Sequence, residues 1–150
     1  MALKEQINND LKAALLGGNR FGGEVLRGLK AAILNEEVSQ NKRDEGLSDA
    51  EIEQIVAREV KKRFESAKIY DGADRPELAT SERAEAAVLV GYLPTQLSED
   101  EIAAVVTRTI AKLGVSGPSG LGQTIGAVKQ ELGNTADGAT VAKLVKIALQ

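Results

Sequence analysis

An all-α protein, with an N-terminal four-helix bundle followed by a C-terminal three-helix bundle, is the fold class the sequence predicts, and three observations predict it. Apolar residues recur at helical spacing in seven successive segments, and no alternating run flanked by turn signals argues for a strand. Glycine pairs, proline or capping residues bound most of those segments. Only Phe21, Phe64, Tyr70 and Tyr92 are aromatic, so the packing predicted is aliphatic, helix on helix. A chain of 150 residues buries roughly 70% of its unfolded surface, enough for one core or two small ones. The boundary is placed after Pro94, giving residues 1–94 and 95–150.

The first predicted helix carries Leu3, Ile7, Leu11, Ala14 and Leu15 on one stripe, with Lys4, Glu5, Asp10 and Lys12 off it, and ends at Gly17-Gly18. A second glycine pair, Gly22-Gly23, precedes Val25, Leu26, Leu29, Ala32 and Ile33; this second helix fades into the polar stretch from Ser39 to Gly46. The third opens on a capping box, Ser48-Asp49-Ala50-Glu51. Its serine hydroxyl accepts from the Glu51 amide, its Glu51 carboxylate accepts from the Ser48 amide, and Leu47 and Ile52 stand at the staple positions. The stripe then runs Ile52, Ile55, Val56, Val60 and Phe64 to an end near Asp71-Gly72. Arg75-Pro76 restarts the chain, because proline is accepted in a first helical turn and holds the residue before it extended. Ala84, Ala87, Val88 and Gly91 make the stripe of the fourth helix, widened by Leu89 and Val90, and its small side chains allow close helix approach.

Gly91 to Ile102, reading GYLPTQLSEDEI, is the joint between the bundles. An apolar helix ends in Tyr92-Leu93, Pro94 forbids its continuation, and Ser98 with Glu101 forms a second capping box stapled by Leu97 and Ile102. The apolar pair packs while Pro94 fixes the change of direction, which predicts a packed joint with limited hinge motion. Beyond it come Ile102, Val105, Val106, Ile110 and Leu113, then Leu121, Ile125, Val128 and Leu132, then Val141, Leu144, Val145, Ala148 and Leu149. These are three short amphipathic helices separated by glycine-containing turns. Leu47 to Lys62 and Leu97 to Lys112 echo each other. Independent use of the same cap, staple and stripe explains the echo better than domain duplication, because the flanking segments do not continue it.

The chain has no Cys and no His, which removes disulfides, thiolate and imidazole metal sites, cysteine nucleophiles and the commonest general base. No catalytic or metal-binding constellation emerges, and no cofactor or small-molecule substrate is indicated. An N-terminus with Glu5 and Asn8-Asn9-Asp10 lacks the apolar run of a signal peptide, and no run approaches the roughly 18 apolar residues of a membrane span. The expected compartment is the cytoplasm, with no membrane partner. A net charge of -3 opposes indiscriminate nucleic-acid binding and leaves room for a local basic face.

Gly117-Pro118-Ser119-Gly120-Leu121-Gly122-Gln123-Thr124 fits the phosphate-loop pattern, except that Gln123 stands where the lysine belongs and a helix, not a strand, precedes it. Gly120, Gly122 and Gly126 mimic a dinucleotide fingerprint under the same objection. A turn into the sixth helix is the better reading, with Gly122 and Gly126 one turn apart where a neighbouring helix packs closely. Glu99-Asp100-Glu101 reads as the acidic start of a helix, favoured by its dipole, more readily than as a metal site, since consecutive helical carboxylates diverge. Asp137 is placed to cap the seventh helix by accepting from the amides of Ala139 or Thr140, and Gly138 leaves that start open to another chain. With Asp137 already supplying the anion, a phosphate site there is the weaker reading.

Cations concentrate in two places. Arg58, Lys61, Lys62 and Arg63 interleave with Glu59 and Glu65, and the i,i+4 pairs Glu59-Arg63 and Lys61-Glu65 explain them. Beyond Ile102, Arg108, Lys112, Lys129, Lys143 and Lys146 stand against only Glu131 and Asp137. A solvated surface is one reading; a phosphate-contacting face with salt-dependent affinity and little base readout is the other.

A resemblance to a known family is carried by Leu26, Lys30-Ala31-Ala32-Ile33 and Asn35-Glu36, by Tyr92-Leu93-Pro94-Thr95-Gln96-Leu97-Ser98 with Glu101-Ile102, and by Gly122, Gly126, Ala136-Asp137-Gly138, Val141 and Leu144-Val145-Lys146. With these the chain resembles the YqeY family, small proteins similar in sequence to the C-terminal tail of GatB, a subunit of the glutamine-dependent tRNA amidotransferase. The resemblance covers essentially the whole chain and implies the same order of four-helix and three-helix bundles. Gln123 departs from it, standing where members commonly have Lys, and the glycine usually just before Ala-Asp-Gly is displaced. In the amidotransferase the tail helps hold tRNA while other parts perform phosphorylation and transamidation.

The resemblance, together with the local basic excess, thus points to a non-catalytic module that binds tRNA or tRNA-linked machinery, mainly through the second bundle, with Arg108, Lys112, Lys129, Lys143 and Lys146 as phosphate contacts. The alternatives are a protein-protein adaptor, using exposed apolar helix surface and the Gly-lined face of the sixth helix, and an accessory to the amidotransferase. A carbon-nitrogen ligase activity with glutamine as amide donor would rest on the similarity alone, since the chain has none of the catalytic body. The packed joint predicts slow hydrogen exchange at the Tyr92 and Leu93 amides, and rapid exchange there would refute it.

Overall fold

The computed structural model describes residues 2–150. Among them the chain forms seven α-helices and no strand, so the all-helical class predicted from the sequence holds. The helices are α1 (Ala2–Leu16), α2 (Arg20–Ser39), α3 (Asp49–Gly72), α4 (Pro76–Val90), α5 (Glu99–Leu113), α6 (Leu121–Leu132) and α7 (Gly138–Ala148), with short 3-10 turns at Pro118–Gly120 and Gly133–Thr135. The chain divides into two compact units, Met1–Leu93 and Pro94–Gln150.

In the first unit α3 packs mainly along α4, and α1 along α2. The core is aliphatic: Leu29, Ile33, Leu47, Ile52 and Val56 are buried together with Ile7, Val25, Leu26 and Leu89. Each such side chain contributes roughly 1.5–3 kcal/mol by leaving water. The capping box of α3 is formed as predicted, with the Glu51 amide donating to Ser48 Oγ at 3.2 Å and the Ser48 amide donating to Glu51 Oε2 at 2.8 Å. Leu47 and Ile52 are both buried. Lys42 Nζ donates to the other Glu51 oxygen at 2.7 Å, and Lys42 first and the Ser48 amide second hold that carboxyl below its usual range.

The buried stripes of this unit differ from the predicted ones. Leu15 is half exposed and leans over Gly23, where an added Cβ would lie 3.3 Å from Leu15 Cδ2. Gly22 and Gly23 fall within the first turn of α2, because Asn19 caps that helix by accepting from the Gly22 amide at 3.0 Å. Phe64 is exposed, and the small Ala67 is buried in its stead. On α4 the buried residues are Ala79, Ala86 and Leu89, whereas Ala84, Ala87 and Gly91 are exposed and Val88 is half-buried. Alanines stand on several sides of α4, so the apolar period does not select its inner face. Glu37, charged and unpredicted as core, is buried because Lys4 Nζ reaches it at 2.7 Å; without that partner its burial would be strongly unfavourable.

The chain leaves α4 through Tyr92 and Leu93, whose amides donate to the Leu89 and Val90 carbonyls at 3.0 Å each. Both side chains pack against the first core. The Tyr92 hydroxyl donates to Asp10 Oδ2 at 2.7 Å. Burial first, and this bond second, raise the phenol's pKa well above its ordinary value.

The second unit begins at Pro94. Gln96 Nε2 donates to the carbonyls of Pro94 and Asn134 at 2.8 and 2.9 Å, and the Leu97 amide donates to the Thr135 carbonyl at 2.8 Å. Ser98 and Glu101 form the second capping box, both bonds at 3.1 Å. Ile102, Val106, Val128, Val141, Val145 and Leu149 are the core, flanked by Leu97, Val105, Ile110 and Leu144 among others. Ala148, assigned to the apolar stripe of α7 from the sequence, is exposed at the helix end. Gly114 ends α5 at φ 65°, a left-handed conformation that glycine adopts without strain. Asp137 caps α7 by accepting from the Thr140 amide at 3.1 Å.

Tyr92→Phe should lower the stability of the first unit by about 1.5–3 kcal/mol in urea denaturation, the worth of a hydrogen bond to a carboxylate acceptor. The folded phenol holds its proton more tightly than an unfolded tyrosine, whose pKa is about 10. The wild-type contribution is therefore intact below about pH 10 and lost as pH rises through the higher folded value, and the variant should show a correspondingly shallower alkaline decline.

Candidate nucleic-acid interface

Arg108 and Lys112 stand one turn apart on α5 and line a cleft of about 420 Å³ whose other wall, from α6, carries Ala127, Gln130 and Glu131. Arg108 is engaged there: its Nη2 donates to both Glu131 oxygens at 2.7 and 2.8 Å. Both side chains are about half exposed or more, at 64% and 48%, so the pair contributes no more than about 1 kcal/mol. Lys112 lies in the last turn of α5, where the helix dipole favours a cation. Among the described residues it forms no ion pair.

The remaining predicted cations occupy other helix pairs. Lys143 Nζ on α7 lies 3.3 Å from Glu99 Oε1 at the start of α5. Lys129 on α6 extends over the start of α7, and an added Cβ at Gly138 would lie 3.2 Å from its Cε and Nζ. Lys146 is exposed, one turn beyond Lys143. Of the five, Arg108 and Lys112 line one cleft together. Over Pro94–Gln150 the five cations meet five carboxylates, because Glu99, Asp100 and Glu101 precede Ile102. No local signal announces the Arg108–Glu131 and Lys143–Glu99 pairs, whose members lie 23 and 44 positions apart.

One glycine expectation is corrected. Gly122 and Gly126 are exposed, with nothing within 4 Å of an added Cβ, so no helix packs closely on them. At Gly138, read from the sequence as open to another chain, the tip of the exposed Lys129 side chain lies 3.2 Å from an added Cβ. The crowded glycine is Gly120, buried, where an added Cβ would lie 2.7 Å from Val115 Cβ.

The phosphate-loop look-alike has its Thr124 hydroxyl committed internally, donating to the Gly120 carbonyl at 2.8 Å in a buried setting. Among the described residues no group of three or more acidic side chains is arranged to hold a metal ion. No described helix is long and apolar enough to cross a membrane.

A family model described as Yqey-like protein matches residues 4–149. No curated protein matches the chain.

The glycines give opposite expectations in thermal or urea denaturation. Gly122→Ala and Gly126→Ala should each stabilise the second unit by about 0.5–1 kcal/mol, since alanine fits the open helical positions. Gly120→Ala should destabilise it by about 1–3 kcal/mol, because the β-branched Val115 cannot swing aside.

Proposed function

The chain belongs to the YqeY family, and on that premise we propose that it is a cytoplasmic, non-catalytic helical module that binds tRNA or tRNA-linked machinery through its second unit. In this reading α1 to α4 form a four-helix bundle and α5 to α7 a three-helix bundle. The observation that carries the proposal is the α5·α6 cleft, where Lys112 is unpaired and Arg108 is held by an exposed carboxylate. A guanidinium fork fits phosphate as it fits carboxylate, so phosphate can take the place of Glu131. Lys129 and Lys146 add two ammoniums without ion pairs among the described residues.

The second unit contains no aromatic residue, which leaves no platform on which to stack unpaired bases. Its contacts therefore go to phosphate and ribose, and the part of tRNA it suits is the helical stem, read by shape. The protein-protein adaptor reading has in its favour the apolar side chains left in solvent, Leu16 at 90% and Ile69 at 70% exposure foremost.

Labelled tRNA should show a mobility shift with the purified protein at low ionic strength, weakening as salt rises. Lys112→Glu with Arg108→Glu, and Lys143→Glu with Lys146→Glu, should each weaken the shift across all tRNA sequences. Each lost phosphate contact should reduce the salt slope by about one. No shift at low salt, or full binding by both double variants with folding verified by circular dichroism, overturns the proposal.

A further inference from the structure

A second cleft, of about 110 Å³, lies between α1 and α2, lined by Lys4, Ile7 and Asn8 on one side and by Lys30, Ile33 and Glu37 on the other. Helical spacing brings these groups together: Asn8 follows Lys4 by one turn, and Ile33 and Glu37 follow Lys30 at i+3 and i+7. The size is well below the roughly 300–1,000 Å³ of drug-sized ligand pockets, so an occupant has few non-hydrogen atoms.

The polar groups in this cleft are incompletely used. Asn8 Oδ1 is buried without a hydrogen-bond partner, which folded proteins seldom leave standing. Glu37 is buried, with one oxygen, Oε2, receiving Lys4 Nζ at 2.7 Å. Lys30 sits exposed at the rim and forms no ion pair among the described residues. The inner part thus offers acceptors to a donor, and the rim offers an ammonium to an anion.

We propose that this cleft binds a small free amino acid, its ammonium donating to Asn8 Oδ1 and Glu37 and its carboxylate accepting from Lys30. Charge decides against simpler occupants. A lone anion would face the Asn8 oxygen and the Glu37 carboxylate; a lone ammonium would face Lys4 and Lys30, with like charges in close, partly desolvated contact. A molecule carrying an ammonium and a carboxylate on one carbon meets the inner acceptors with the first and the Lys30 rim with the second. Ile7 and Ile33 limit the side chain to a small apolar or compact one. The cleft lies within the first unit and uses none of the cations assigned to RNA, so the two proposals stand or fall separately.

Nitrogen-15 NMR of the full chain, with the Asn8 side-chain amide and the backbone amides of Lys30, Ile33 and Glu37 as reporters, tests this with glycine and alanine as probes. Saturable shifts at those residues are expected with either amino acid. Acetate, methylammonium and inorganic phosphate at equal concentration should leave them unmoved. Asn8→Leu and Lys30→Gln should each weaken binding by about tenfold or more, the loss of one charge-assisted hydrogen bond. Lys30 is exposed, so its variant keeps the test intact if Asn8→Leu fails to fold. The proposal is overturned by the absence of saturable shifts, by equal shifts from acetate, methylammonium or phosphate, or by unchanged affinity in Lys30→Gln.

Discussion

The hydrogen bond from Tyr92 to Asp10 joins residues 82 positions apart, and the first unit depends on what it does for α1. A helix of 15 residues is marginal on its own in water, and α1 buries only Ile7 and Leu11 fully. Its hold on the unit is completed at its polar margins: the Leu3 amide donates to Asp49 Oδ1 at 3.1 Å, Lys4 reaches Glu37, and Asp10 receives Tyr92. These contacts reach α3, α2 and the end of α4 in turn. Docked in this way, α1 supplies one wall of the small polar cleft. That cleft exists because a weakly buried helix is pinned at three places along its length.

The devices legible in the sequence were those whose parts lie within a turn of one another. Both capping boxes, the Leu47–Ile52 staple, the glycine stop of α5 and the Asp137 cap are satisfied inside a few residues, and local spacing is enough to read them. The inner faces of α5 and α7 were legible as well from the spacing of Ile102 and Val106 and of Val141, Val145 and Leu149, although Ala148 and Ile147 on α7 are apolar and exposed. On α4 alanine occupies several faces and the period is ambiguous. Phe64 shows a different limit, for size and hydrophobicity say nothing of whether the space opposite admits a ring. Glu37 required knowledge of Lys4, from another helix. The cations of the second unit were identifiable by type, but their distribution over three helix pairs depends on partners such as Glu131 and Glu99 that only the fold brings near.

The two units differ in what they offer to other molecules. Cations and carboxylates balance over Pro94–Gln150, so the chain's net charge of -3 resides in the first unit, which also contains all four aromatic residues. Phosphate-rich polymers are repelled by the one and tolerated by the other. Within the second unit the acidic groups are largely assigned: Glu101 and Asp137 to helix caps, Glu131 and Glu99 to ion pairs. Lys112, Lys129 and Lys146 are left without an ion pair among the described residues, a separation of roles that formal charge alone would not reveal.

Gly122 and Gly126, standing bare on α6, bear on how that unit moves. In a helix of 12 residues, Gly126 in the interior lowers the intrinsic winding preference by about 1 kcal/mol relative to alanine and Gly122 in the first turn by less, and no packed neighbour compensates at either position. The first half of α6 accordingly carries less intrinsic helical stability than an alanine-containing counterpart would, which favours its local opening. The α6 wall of the Arg108–Lys112 cleft, Ala127, Gln130 and Glu131, lies C-terminal to both glycines. Loosening at the entry to α6 therefore leaves the groove's cations and their facing carboxylate on a wound frame.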